Sequence, residues 1–293
     1  MASSEPTIDE LRRAIDAIDD AMHDLLMKRA TVVEEVGRAK QRAGDGAVPA
    51  IRPAREAAIL RRLIHRHGGT FPAAVLVRMW REMLAGTTRM QGPFAIAVHA
   101  PEKSVGYWDL ARDHYGSCTP MTLHRSARLV LREVTGGRAV IGVLAMPADG
   151  EPDPWWRHLV AEQPHVPRVV AALPFYDGGD GRFEKLRALA IARLPHEPSG
   201  DDATLLVLES DAELSRGRLR EAFAKAELPA TDIAAWTDPD APANRLHLVE
   251  VATYLAAGDP RLATVQADLG RAAHRILGLG GYARPLVMPG ARP

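Results

Sequence analysis

A chain of 293 residues, 46% hydrophobic and 25% charged, has ordinary globular composition and is long enough for more than one domain. Lys plus Arg and Asp plus Glu both total 37, so no net positive charge marks nucleic acid or an anionic membrane as the main partner, and any anion site must be local. The single cysteine, Cys118, excludes an internal disulfide, and no apolar run reaches the length of a membrane span.

The start, Met1-Ala2-Ser3-Ser4-Glu5, lacks the basic and then apolar order of a signal sequence, so the cytoplasm is the expected compartment. Cys118 has no His-containing motif beside it and reads as an incidental residue. From Ile8 to Ala43, Leu11, Ile15, Ile18, Met22, Leu25, Leu26, Val32, Val33 and Val36 recur at steps of three and four, which predicts one long helix. Thr7 and Glu10 have capping-box spacing at its start, and only Gly37 interrupts it. At 1.5 Å per residue it would extend roughly 50 Å. A helix of that length needs a long partner surface, so a homodimer is expected.

A Gly- and Pro-containing loop at 43–49 leads to a second helix, Pro53 to Arg66, with Ile59, Leu60, Leu63 and Ile64 on its apolar side. Gly68-Gly69 ends it, and a third helix is expected from Pro72 to Gln91 through Val75, Leu76, Met79, Trp80, Met83 and Leu84. His65 and His67 suit the end of the second helix, where a cation complements the dipole, and Phe71 reads as a packing residue. From Phe94 onward the periodicity changes. Phe94 to Val98 and Ala139 to Leu144 read as buried strands, with helical stretches at Tyr107 to His114 and around Trp155 to Ala161, where Trp155 and Trp156 read as packing residues. Pro167 to Pro174 and Leu186 to Leu194 add strands on either side of a Gly-rich turn at 177–181, and a loop follows at 195–202. The last unit is read as strand Ala203 to Leu208, helix Ser215 to Ala226, strands Asp232 to Trp236 and Leu246 to Ala252, helix Pro260 to Leu277 and a short strand near Tyr282. That order, βαββαβ, is ferredoxin-like. There is no internal repeat.

Three cations punctuate the first helix. Arg29 and Lys40 are eleven residues apart, three turns plus about 20°, and project from the same side, where they could converge on one anion. Arg12 lies roughly 25 Å along the axis from Arg29 and about 100° round, too far to grip the same small molecule. Either the three are solvated positions of an exposed helix, or all serve one site and Arg12 comes from a second copy of the chain.

The pattern Leu11-Arg12, Lys28-Arg29, Val36-Gly37-Arg38-Ala39-Lys40, Arg55-Glu56-Ala57-Ala58-Ile59-Leu60 and Thr87-Thr88-Arg89-Met90-Gln91 resembles the all-helical chorismate mutases over residues 8 to 91. The resemblance implies a three-helix, intertwined dimer that binds chorismate and rearranges it to prephenate, with no metal or organic cofactor. It places the family's functional positions on Arg29, Lys40, Arg55, Glu56, Thr87 and Gln91, together with the partner subunit's Arg12. Thr87 stands where the family often has Ser. Arg52 stands where some members carry an acidic residue that contacts the substrate hydroxyl, which leaves Glu56 to hold that group. Arginines suit a dicarboxylate by bidentate hydrogen bonding, and Lys40 and the Gln91 amide are donors for the ether oxygen as its bond breaks.

Residues 94 to 293 resemble a degenerate prephenate dehydratase with a terminal ACT-like domain. Leu186-Arg187-Ala188 is similar to that family's Thr-Arg-Phe strand and Gly278-Leu279-Gly280-Gly281-Tyr282 to its closing strand, but Leu186 and Ala188 replace the Thr and the Phe. Ala145-Met146-Pro147-Ala148 and Trp236-Thr237-Asp238-Pro239 depart from the family's Pro-Ile-Glu-Asn and phenylalanine-binding Glu-Ser-Arg-Pro motifs. The resemblance therefore implies domains at 1–91, 92–196 and 197–293, with mutase activity and without dehydratase activity. The alternatives are a bifunctional mutase–dehydratase and a non-catalytic regulatory binding protein of the same pathway.

Overall fold

A computed structural model describes residues 5–43, 49–101, 106–163, 165–176 and 186–286; most of the expected loop at 43–49 and the Gly-rich turn at 177–181 lie outside them. Internal contacts gather the chain into two compact units, one of residues 1–50 with 87–93 and the other of 51–86 with 94–293.

In the first unit, helix α1 (Ile8–Arg42) forms as its apolar spacing requires. Both halves of its capping box are made: the Thr7 backbone N–H donates to Glu10 Oε2 at 2.8 Å and the Glu10 N–H to Thr7 Oγ1 at 3.3 Å, satisfying donors that the first helical turn leaves open. These bonds hold the Glu10 carboxyl below its ordinary range. Lys40 and Arg42 in the last turn complement the dipole. No residue of α1 is buried, and Ile15, Ile18, Met22 and Leu25 of its apolar stripe are exposed.

The second unit is built on one mixed sheet of nine strands: β1 (Ile96–His99), β2 (Met121–His124), β3 (Ile141–Ala145), β4 (Arg168–Leu173), β5 (Ala188–Ala192), β6 (Asp202–Asp211), β7 (Ala230–Asp238), β8 (Ala241–Val251) and β9 (Ala273–Ala283). Their spatial order is β2-β1-β3-β5-β4-β9-β6-β8-β7. Helices α2 (Pro53–Arg66), α3 (Ala73–Met90, through Gly86 in this unit), α4 (Gly106–Tyr115), α5 (Ala127–Thr135), α6 (Arg216–Lys225) and α7 (Pro260–Leu269) complete it. Val98, Leu110, Ile141, Val143 and Ala190 form one apolar cluster with α4, whereas Val130, Leu144, Trp156, Leu189, Leu205 and Leu248 form another. Both tryptophans of the expected pair pack in the core, on a single 3₁₀ turn, Trp155–Leu159.

The last six elements follow the expected βαββαβ order, and β9-β6-β8-β7 pair antiparallel throughout. One expectation fails. The helix read as Pro260 to Leu277 stops at Leu269, and Ala273 to Ala283 is a strand paired with β6 along its length. Gly270 adopts a positive φ of 57° that breaks the helix, and the partner strand β6 then supplies the backbone hydrogen bonds in place of a further helical turn. Gly280 lets β9 close on β4: at φ 100°, a Cβ there would collide with the Val169 backbone. The β2–α5 pair has no counterpart in the sequence reading. β2 is an edge strand with only half-covered side chains, and α5 spans nine residues, so neither shows a long period.

Helices α2 and α3 pack on the sheet. Ala57 and Leu60 of α2 and Val77 of α3 pack on Phe175, just past β4, and Ala283, the end of β9. Arg61 reinforces the junction by donating to the carbonyls of Ser199, Asp201 and Arg284.

Candidate active site

Within the first unit, the C-terminal half of α1 meets the segment that begins at Thr87. Arg29 Nη1 donates to Thr87 Oγ1 at 3.3 Å, and Gln91 Nε2 donates to the Thr87 carbonyl at 3.3 Å. Thr87 is buried; Arg29, Lys40 and Gln91 are partly so. Gln91 lies along α1 at Gly37, where an added Cβ would stand 3.5 Å from its Cγ. Lys40 follows Gly37 by one helical turn, on the side of α1 that carries Arg29. The structure thus brings Arg29, Thr87 and Gln91 into one neighbourhood, with Lys40 a turn along. Gln91 Oε1 is buried without a hydrogen-bond partner. With one Nε2 hydrogen engaged by Thr87, the amide keeps its other Nε2 hydrogen and its oxygen for further bonds.

Arg12 stands apart from that group. Its side chain is 73% exposed, with Nη1 at 3.4 Å from Asp9 Oδ1 on the same helix, a solvated pairing of little energetic weight.

The second unit holds the other three expected residues. Arg55 is exposed on α2. Glu56, one residue on, faces inward and is paired: Arg81 Nη1 of α3 donates to its Oε2 at 3.0 Å, and the two side chains are only 13% and 6% exposed. Burial pushes the Glu56 carboxyl up and the Arg81 charge opposes this, while burial lowers Arg81 and Glu56 opposes that. Arg52 is engaged by Glu197, donating through Nη2 to Oε1 at 3.0 Å and through Nε to Oε2 at 3.2 Å. The sequence does not show this long-range pairing, since the partners are far apart in the chain.

Arg81 was not singled out from the sequence, although a signal for it exists. Val77, Arg81 and Leu84 fall at steps of four and three on α3 and are all buried, so an arginine occupies a position of the apolar stripe. Such a cation must find a partner, and the nearby carboxylate on α2 supplies it. Leu186, where the dehydratase resemblance puts a catalytic Thr, packs with the α4 cluster and contacts the position of Gly106.

Residues 11–92 match the family described as chorismate mutase type II. That similarity is confined to the N-terminal segment. The matched stretch contains each functional position that the mutase resemblance names, from Arg12 to Gln91. The bifunctional chorismate mutase/prephenate dehydratase of Pseudomonas aeruginosa is 29% identical over 136 residues, which are 46% of this chain and 37% of that protein. The chain thus spans well under half the length of this relative. Among solved structures, "GqqA, a novel type of quorum quenching acylases" aligns with a TM-score of 0.46 and 18% identity over 64% of this chain and 94% of its own. Prephenate dehydratase from Streptococcus mutans aligns with a TM-score of 0.45 and 15% identity over 66% and 98%. Among the described residues no helix is long and apolar enough to cross a membrane.

Proposed function

We propose that the protein is a chorismate mutase of aromatic amino-acid biosynthesis. The observation that carries this reading is the grouping of Arg29, Thr87 and Gln91 beside Lys40 in a segment that matches the type II family. Chorismate is a small dicarboxylate, and its conversion to prephenate is intramolecular: one C–O bond breaks, one C–C bond forms, and no proton is transferred. The protein need only select the folded reactive conformer and stabilise charge, so neither metal nor cofactor is required. In this reading Arg29 and Arg55, with the partner subunit's Arg12, clamp the carboxylates, an orientation effect. Lys40 and the Gln91 amide donate to the ether oxygen, whose negative charge grows only as its bond breaks, so they lower the barrier instead of merely binding substrate. Thr87 orients Arg29, and Glu56 accepts from the substrate hydroxyl.

The homodimer belongs to the same proposal. The exposed stripe of α1 supports it, because such an apolar length is covered when a second copy supplies the partner helix. Domains at 1–91, 92–196 and 197–293 are assigned as mutase, degenerate dehydratase-like and ACT-like, the last supported by its antiparallel, ferredoxin-like strand order. A cytoplasmic location goes with this reading, and Arg52, held by Glu197, is assigned to shaping the substrate pocket and not to receiving the hydroxyl.

The name of the Pseudomonas relative favours a second reading, the bifunctional enzyme. Against it, Leu186 and Ala188 offer no hydroxyl or aromatic ring where that resemblance needs them. One assay separates the readings. Purified protein of these 293 residues given chorismate is expected to accumulate prephenate; conversion onward to phenylpyruvate would establish the bifunctional enzyme, and unchanged chorismate would leave only a binding protein.

A further inference from the structure

We propose that Arg81 is a positioning residue of the mutase site, through which the α/β region holds the Glu56 carboxylate ready for the substrate hydroxyl. This rests on the mutase reading above, and every residue that carries it lies in the second compact unit.

Arg81 takes only one oxygen of Glu56. Its Nη1 donates to Oε2 at 3.0 Å, and Oε1 receives no hydrogen bond from the described residues, which leaves that oxygen for a ligand. The guanidinium is itself fixed from the α/β side: its Cζ stands 5.2 Å from the centre of the Phe175 ring just past β4, an interaction worth more where water is excluded. Arg61 of α2 lies against the same ring at 5.8 Å. From α4, His114 and Tyr115 bring the remaining titratable groups that bear on the pair. Burial, then the Arg81 charge, drives His114 well below its ordinary range, so it stays neutral, and burial first, then Glu56, drives the Tyr115 phenol far up, so it too stays neutral. Arg61 and Arg81 are thus the cations at the Phe175 ring, Asp201 pairs with Arg61, and Glu56 is the carboxyl that faces Arg81.

Removing one member of a buried pair leaves the other uncompensated, and a carboxyl answers by taking a proton. Without Arg81, burial of Glu56 is unopposed and its carboxyl rises further, so the hydroxyl loses a charge-assisted acceptor. That contact is the same in the substrate and in the transition state, because the hydroxyl does not react. Its loss therefore weakens binding and leaves the chemical step largely alone.

The test uses the 293-residue chain and prephenate formation measured from pH 6 to pH 9 for Arg81→Met, Arg81→Lys, Glu56→Gln and the double variant Arg81→Met with Glu56→Gln. Arg81→Met is expected to raise KM about tenfold or more at the acid end, with kcat within about threefold. The rise should shrink as pH increases and Glu56 ionises again. Arg81→Lys should recover part of the lost binding, and Glu56→Gln should be no further impaired by Arg81→Met. An unchanged KM overturns the proposal, as does a loss that is independent of pH and multiplies with that of Glu56→Gln. If Arg81→Met does not fold, Arg81→Lys alone and combined with Glu56→Gln decides in the same way. A wild-type chain that leaves chorismate untouched overturns the mutase reading, a result distinct from any pattern among the variants.

Discussion

Lys40 shows how far a single residue can be read before any fold is known. Its place on α1, eleven residues from Arg29, follows from helical repeat alone, and the structure adds Thr87 and Gln91 beside that side of the helix. If Lys40 donates to the developing charge on the ether oxygen, Lys40→Ala should lower kcat by about a hundredfold with a smaller change in KM. Steady-state kinetics at saturating chorismate measure this directly, and full turnover would remove Lys40 from the transition state. Arg52 and Glu56 were less legible. Sequence places both on α2 near Arg55, but the partners that restrain them, Glu197 and Arg81, come from distant segments. No periodicity encodes a pairing across such separations.

At the scale of the element, α1 and α7 mark the two outcomes. The first helix has a capping box, an unbroken apolar stripe and basic residues in its last turn, all agreeing with one another, and its observed bounds match the expected ones to within a residue. Its stripe stays exposed in a single chain. Replacing Ile18 and Leu25, 58% and 66% exposed, by Glu together should halve the mass found by light scattering and preserve the helical circular dichroism of the rest. An unchanged mass would reject α1 as the dimer surface. The expected helix to Leu277 failed because local spacing continues past Gly270 while the pairing with β6 does not tolerate it. Strand pairing is non-local, and β6 offered the stronger set of backbone partners.

At the scale of the whole molecule, the sheet gathers segments that are remote along the chain. All nine strands share one sheet, and α2 and α3 are packed on β4 and β9 through Leu60, Val77 and Phe175. Amides of α2 should therefore exchange with solvent as slowly as those of β4. Phe175→Ala, which truncates a buried ring at a cost of about 3–5 kcal/mol, should lower protection in both together. Independent exchange of α2 would mean that it folds apart from the sheet.

By itself the sequence determined the three N-terminal helices, the spacing of Arg29 and Lys40, the mutase resemblance and the βαββαβ order of the last unit. These depend on repeats within a segment, where each residue constrains neighbours a few positions away. The tertiary structure alone decided that the sheet is continuous, that Ala273 to Ala283 is a strand, and that Glu56 is held by Arg81 and Arg52 by Glu197. Those are contacts between segments remote along the chain. They are chosen by which surfaces can exclude water and which buried charges can find a partner once every element is in place.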